Sequence, residues 1–123
     1  MGMGMARTVA VVFGAIYVIA GLAGFVLASP LFGLFEVNAL HNIVHLLIGA
    51  ILLYGATTTP AAIMTNRGVG AVLLLLGVLG FIIPDGLGFV PLGGNDIWLH
   101  LVTGVILLAA GYMGETADTR ATV

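Results

Sequence analysis

The sequence predicts an all-α polytopic membrane protein, with four transmembrane helices arranged as two duplicated helical hairpins. Of its 123 residues, 61% are hydrophobic and only 7% are charged, whereas a soluble domain carries about 25% charged residues. Three arginines, no lysine and five acidic residues are too few to cover a water-facing surface. The hairpin arrangement follows from an internal repeat that relates residues 8–57 to residues 66–114.

Apolar segments predict the four helices in a single transmembrane domain, at about 8–28, 39–57, 66–83 and 96–114. A bilayer-spanning helix needs roughly 20 residues. The third segment is short unless Thr58 or Thr59 caps a helix that has Pro60 in its first turn. The first segment is longer than the apolar region of a signal peptide, so we expect it to be retained.

The repeat is read from two gapless matches. Residues 13–25 align with 69–81, and residues 45–53 align with 100–108. The matched positions that carry most weight are glycine and histidine pairs: Gly14 with Gly70, Gly21 with Gly77, Gly49 with Gly104, and His45 with His100. A two-helix repeat returns the chain to its starting side, so we expect parallel rather than inverted repeats.

The arginines predict the orientation of the chain. Arg7, Arg67 and Arg120 all fall on the side of the termini, whereas the hairpin loops at about 29–38 and 84–96 carry only acidic charges. Basic residues stay on the cytoplasmic side of membrane helices. We therefore expect a multi-pass protein of the cytoplasmic (inner) membrane, with both termini in the cytoplasm and the hairpin loops outside.

Polar side chains cluster near the starts of the second and fourth helices. Each helix carries three positions four residues apart: His41, His45 and Gly49 on the second, and Asp96, His100 and Gly104 on the fourth. Residues at this spacing share one helix face. Ionisable groups in membrane helices usually face the bundle interior and mark a functional site. We therefore expect the two faces to meet near the bundle axis.

Two interpretations treat these residues as a structural network or a cofactor site. In the first, the polar side chains hydrogen-bond across the bundle and fix the helix register. In the second, His45 and His100 ligate a porphyrin-type cofactor, either a haem or a chlorophyll-type ring. Gly49 and Gly104, one turn deeper, would leave room beside such a ring.

Two further interpretations involve other ligands. One is a metal ion or proton relay, whose candidate ligands are His41, His45, His100 and Asp96, with Glu36 as a substitute for Asp96. The other is a quinone, lipid or small-solute site beneath the loops, where a histidine donates to a carbonyl. The chain has no cysteine and no catalytic motif, so we predict no enzyme, and its three scattered arginines argue against nucleic-acid binding.

Two motifs carry a family resemblance. The pattern N..HN.VHL..G in residues 38–49 and the pattern D..LH...G in residues 96–104 resemble DUF4383, a family of small four-helix prokaryotic membrane proteins of unknown function. The resemblance covers about residues 8–114, and the four-span layout is loosely similar to that of DoxX-like proteins. It implies the fold and a membrane location, and it implies no activity.

The expected function follows from the small mass outside the bilayer. We expect a structural or accessory subunit that contacts lipid and docks to a larger membrane complex, or to copies of itself, through glycine faces and apolar loops. The alternative is a histidine-centred binder of a porphyrin, a metal ion, or a quinone or lipid near the outer membrane face. A transporter ranks third, because so short a chain offers little pathway.

Overall fold

The structure, a computed structural model, describes residues 4–31, 33, 35 and 37–122, with side chains up to residue 114. It contains four α-helices: α1 (Met5–Val26), α2 (Ala39–Gly55), α3 (Thr59–Ile82) and α4 (Asn95–Thr122). A short 3-10 turn, Gly86–Gly88, lies between α3 and α4. The described residues include no strand, and an isolated backbone pairing joins Leu31 and Phe35 in the first loop. The all-α prediction is confirmed.

Capping residues set the starts of α2 and α3. The Asn38 side chain accepts a hydrogen bond from the His41 backbone N–H at 2.8 Å, and the Thr58 hydroxyl accepts from the Ala61 N–H at 3.2 Å. Helix α3 begins at Thr59 rather than near residue 66, which matches the alternative in which Thr58 caps a helix with Pro60 in its first turn. Proline suits the first turn, where its missing N–H would be unpaired anyway, so Thr58 and Pro60 start α3 earlier.

Helix α4 also differs from its expected range, because it continues past residue 114 to Thr122. Residues 115–122 contain no glycine or proline and include alanine, glutamate and arginine, which favour helix. The apolar part of this helix is Asn95–Gly114.

Three helices are long and apolar enough to cross a membrane: α1, α3 and the Asn95–Gly114 part of α4. Helix α2 is apolar but shorter, at 17 residues. Large hydrophobic side chains face outward along every helix, whereas a set of polar side chains is buried: His41, Asn42, His45, Asn66, Asp96 and His100. An apolar exterior around a partly polar interior suits lipid rather than water. The chain is therefore a membrane protein in contact with lipid.

Close packing occurs within two helix pairs, α1 with α2 and α3 with α4. A Cβ placed on Gly49 would lie 2.7 Å from the carbonyl oxygen of Gly14. In the second pair, a Cβ on Gly104 would lie 2.9 Å from the carbonyl oxygen of Gly70. The helices of each pair thus approach backbone to backbone, which gains van der Waals contact in a lipid environment.

We call the end with the α1–α2 and α3–α4 connections the loop end, and the opposite end the terminal end. The middle of the bundle is apolar, and its buried residues are Tyr17, Ile48, Leu52, Leu73 and Leu107. Small side chains pack toward the terminal end: Ala6, Ala10, Ala56 and Ala62. The buried histidines lie on the loop-end side of the apolar middle.

Side chains near the terminal end hold the helices together through backbone carbonyls. The Asn66 amide donates to the Ala6 carbonyl at 3.0 Å. The Arg7 guanidinium donates to the Ala56 carbonyl at 2.7 Å. The Arg67 guanidinium donates to the Gly111 carbonyl at 3.1 Å and stacks on the Tyr112 ring, 4.1 Å from its centroid. Two of these bonds join different helices, and the Arg7 bond joins α1 to the residue that caps the end of α2.

The connections at the loop end are tied to one another. The Asn38 amide donates to the backbone carbonyl of Phe89 at 2.9 Å. This bond joins the first loop, between α1 and α2, to the second loop, between α3 and α4. Leu92 is buried, and its N–H donates to the Pro84 carbonyl at 2.9 Å. The second loop therefore folds back over the end of the bundle where the histidines lie.

Candidate metal centre

Two helices supply the three histidines of the chain. Helix α2 carries His41 in its first turn, just after the Asn38 cap, and His45 one turn later. Helix α4 carries His100 in its second turn. All three side chains are buried, with exposed fractions of 1%, 2% and 2% respectively.

The three imidazole rings form one cluster. Ring centroids are 4.3 Å apart for His41 and His45, 6.3 Å for His41 and His100, and 6.4 Å for His45 and His100. One ring nitrogen from each histidine lies within 4.8 Å of the other two. A tetrahedral ion with bonds of about 2.0–2.1 Å holds its nitrogens about 3.4 Å apart. The nitrogens thus lie farther apart than around a bound ion, and the rings would have to move closer together to hold one.

Asp96 is buried at the same end of the bundle, in the first turn of α4. Its carboxylate is not in the group of ligand atoms that lie within 4.8 Å of one another. Of the four candidate metal ligands, the structure thus brings together the three histidines and leaves Asp96 nearby. Glu36, the substitute for Asp96, lies outside the described residues.

The two glycines next to the histidines lie at the helix crossings. A Cβ on Gly49 would meet the Val18 side chain at 2.6 Å, and a Cβ on Gly104 would meet the Leu74 backbone nitrogen at 2.9 Å. The space that these glycines provide is filled by the paired helix. They therefore offer no open face for a porphyrin ring in this arrangement.

Ring nitrogens of His45 and His100 lack a hydrogen-bond partner among the described residues. Within the described part of the chain, neither nitrogen of His45 has one, nor does Nδ1 of His100. Buried polar atoms are nearly always hydrogen-bonded, and leaving one unpaired costs about 1–3 kcal/mol. A purely structural network would pair these nitrogens with other side chains. The unpaired nitrogens therefore favour a bound ligand.

Two cavities border the cluster. The larger, of about 280 Å³, lies between α1, the first loop and α4, and includes Tyr17 and His45 in its wall. We call it the α1–α4 cavity. The smaller, of about 140 Å³, lies beneath the second loop, and all three histidines line it. We call it the loop-end cavity.

The sequence did not single out Tyr17 as a site residue. Its ring meets the His45 ring edge-on, with centroids 5.2 Å apart, and its side chain is buried. The position of Tyr17 in the sequence could have identified it, because it lies in the middle of an apolar helix, whereas Tyr54 and Tyr112 lie near helix ends. Thr103, on α4 one turn after His100, is likewise buried.

Comparison with known families gives one match. Residues 7–113 match the family described as a domain of unknown function, DUF4383. No curated protein and no solved structure matches the chain. Because the match covers nearly the whole chain, this protein belongs to the DUF4383 family.

Proposed function

We propose that this protein binds one transition-metal ion inside the membrane bundle, with His41, His45 and His100 as ligands. The observation that carries the proposal is the convergence of one nitrogen from each buried imidazole within 4.8 Å. Ionisable side chains are costly inside a membrane and usually have a functional role. A bound cation would give His45 and His100 a partner for ring nitrogens that no other described side chain pairs with.

The ligand set narrows the choice of metal. Imidazole nitrogens suit zinc, copper, iron and nickel, whereas magnesium and calcium prefer oxygen ligands. Three protein ligands leave a coordination position open, as in catalytic zinc sites rather than closed structural ones. The loop-end cavity adjoins all three histidines and would give that position access to a water or a small ligand.

The proposed topology has α2 as the fourth membrane span. Its 17 residues are about 26 Å long, close to the hydrocarbon thickness of about 30 Å. The outward side chains of α2 are apolar along the length of the helix: Leu40, Ile43, Leu47, Ile51 and Leu53. In water these apolar side chains would stay exposed to solvent, whereas in a membrane lipid would cover them.

Two recurring contacts support the duplicated hairpins. The alignment that matches Gly14 with Gly70 and Gly49 with Gly104 pairs the same two glycine crossings found in the packed helices. The arginine contacts also recur, because Arg7 bonds to the carbonyl of residue 56 and Arg67 to that of residue 111. These two acceptors are equivalent in the alignment that matches His45 with His100.

The charge distribution supports cytoplasmic termini, since Arg7 and Arg67 both lie at the terminal end. This orientation would place the histidine cluster below the outer face of the cytoplasmic membrane. The role of accessory subunit stays a prediction from the sequence, and it is compatible with metal binding.

Metal content of the purified protein tests the proposal. The wild type, purified in mild detergent without chelator and supplied with zinc, copper or nickel, should retain about one ion per chain. His41→Phe, His45→Phe and His100→Phe should each weaken binding by more than the roughly 10–100-fold that loss of an outer-shell partner costs. Thr103→Val, a change of similar size one turn from His100, should retain the metal. A wild-type protein that binds none of these ions would refute the proposal.

A further inference from the structure

We propose that the α1–α4 cavity binds a neutral, membrane-soluble ring carbonyl compound of the quinone type, whose carbonyl oxygen accepts a hydrogen bond from His45. The inference goes beyond the metal site and does not depend on it. A neutral imidazole carries one N–H whether or not its other nitrogen ligates a metal. The apolar wall of the cavity, its exposed outer side and its buried His45 imidazole support the proposal.

The cavity has an apolar wall with two titratable residues, His45 and Tyr17. Its lining includes Ile16, Ile19, Ala20 and Ala23 of α1, Leu99 of α4, and Leu31, Phe35 and Val37 of the first loop. His45 closes it on the inside, next to the Tyr17 ring. Ligand pockets typically combine an apolar lining with a few placed polar groups, in volumes from about 300 Å³ upward. A cavity of about 280 Å³ is close to that size.

The cavity runs from the lipid-facing surface to a buried donor. Ile16 and Ile19 lie at its outer side, with exposed fractions of 45% and 64%, whereas His45 is 2% exposed. A ligand would therefore enter sideways from the hydrocarbon and not from water. The body of such a ligand must be apolar.

His45 determines the polar part of the ligand. Neither of its ring nitrogens has a hydrogen-bond partner within the described residues. A metal ion would occupy one nitrogen, and metal-ligating histidines almost always donate their other N–H to an oxygen acceptor. His45 lines both cavities, and the α1–α4 cavity is the one whose wall includes lipid-facing side chains of α1, so an apolar ligand can present that oxygen from there.

Depth favours a ring carbonyl over a lipid headgroup. His45 lies seven residues after the Asn38 cap, which is about 10 Å along the helix. The ester carbonyls of phospholipids stay near the charged headgroups, whereas an uncharged ring carbonyl can enter the hydrocarbon. A molecule of the quinone type thus matches both the depth of the donor and the apolar wall.

Binding of decylubiquinone to the full-length protein in detergent tests this proposal, with decylbenzene as the probe without carbonyls. We expect decylubiquinone to bind more tightly than decylbenzene, and one carbonyl stretching frequency to fall on binding. His45→Leu should weaken binding about 3–10-fold, the effect of one hydrogen bond. His45→Gln, which keeps an amide donor, should restore part of that loss.

A pair of alanine substitutions controls for general damage. Ala20→Leu narrows the cavity and should abolish binding, whereas Ala50→Leu, at an exposed position of α2 outside the cavity, should leave binding unchanged. Metal content is measured in the same samples, so that loss of the metal site is seen separately. Equal binding of decylbenzene, displacement by phospholipid, or full binding by Ala20→Leu would each overturn the proposal.

Discussion

At the residue scale, membership of the histidine cluster depends on how far each polar side chain reaches toward the centre of the bundle. The repeat identified His45 and His100 as equivalent positions, and in the structure both are buried with ring centroids 6.4 Å apart. The same alignment matches His41 with Asp96, yet His41 joins the cluster and Asp96 does not. A sequence alignment gives the helix face of a residue, but not the reach of its side chain toward the other helix.

Asp96 should affect metal affinity without ligating the ion. A buried carboxylate at the same end of the bundle partly offsets the charge of a divalent cation. We expect Asp96→Asn to keep the metal stoichiometry and to weaken affinity about 10–100-fold, measured by competition with a chelator. Asp85→Asn, an exposed loop acid, is the matched control and should leave affinity unchanged. Loss of stoichiometry in Asp96→Asn would make Asp96 a ligand.

At the element scale, the glycines and caps decide how the helices pair. The sequence identified Gly14 and Gly70 as close-packing positions, and both lie at backbone crossings. It also associated Gly49 and Gly104 with a cofactor ring, because spacing alone cannot tell which neighbour a glycine faces. For α3, hydropathy locates the apolar core of the helix, whereas the Thr58 cap and Pro60, which the sequence offered as an alternative start, locate its beginning.

The glycine crossing gives a stability prediction. A Cβ at Gly49 would lie 2.7 Å from the Gly14 carbonyl and from the Val18 backbone nitrogen, which side-chain rotation cannot relieve. Gly49→Ala should therefore lower the free energy of unfolding in detergent by about 1–3 kcal/mol. Gly68→Ala, where nothing lies within 4 Å, should be neutral or stabilising by up to about 1 kcal/mol. Equal effects of both changes would contradict the crossing.

Asn38 has two roles, and its loss should cost more than the loss of a cap alone. It caps α2 and also joins the two loops through the Phe89 carbonyl. Thr58 caps α3 by a hydrogen bond to the Ala61 N–H. A lost cap costs about 0.5–2 kcal/mol, and the loop contact adds about 0.5–1.5 kcal/mol. Thermal unfolding of Asn38→Ala and Thr58→Ala should show the larger loss for Asn38→Ala, and the reverse order would contradict the loop contact.

At the scale of the whole molecule, composition alone predicted a membrane protein, and the apolar outer surface confirms it. The number of spans and the orientation stay predictions. A helix of 17 residues lies at the lower limit of spanning length, which is about 17–25 residues.

The absence of cysteine makes the topology simple to measure. Single cysteines at Ala28, exposed between α1 and α2, and at Thr57, exposed between α2 and α3, serve as matched probes on the two sides of α2. In intact cells, a membrane-impermeant maleimide should label Ala28→Cys and should label Thr57→Cys only after lysis. Labelling of both sites in intact cells, or of neither, would contradict α2 as a fourth span.

The central claim is that three histidines from two helices hold one metal ion. X-ray absorption of the zinc-loaded protein tests it directly, because the extended fine structure counts imidazole ligands and measures their bond lengths. The account predicts about three imidazole nitrogens at about 2.0–2.1 Å, with one lost in His100→Phe. A coordination shell of oxygen ligands alone, or a spectrum that His100→Phe leaves unchanged, would contradict it.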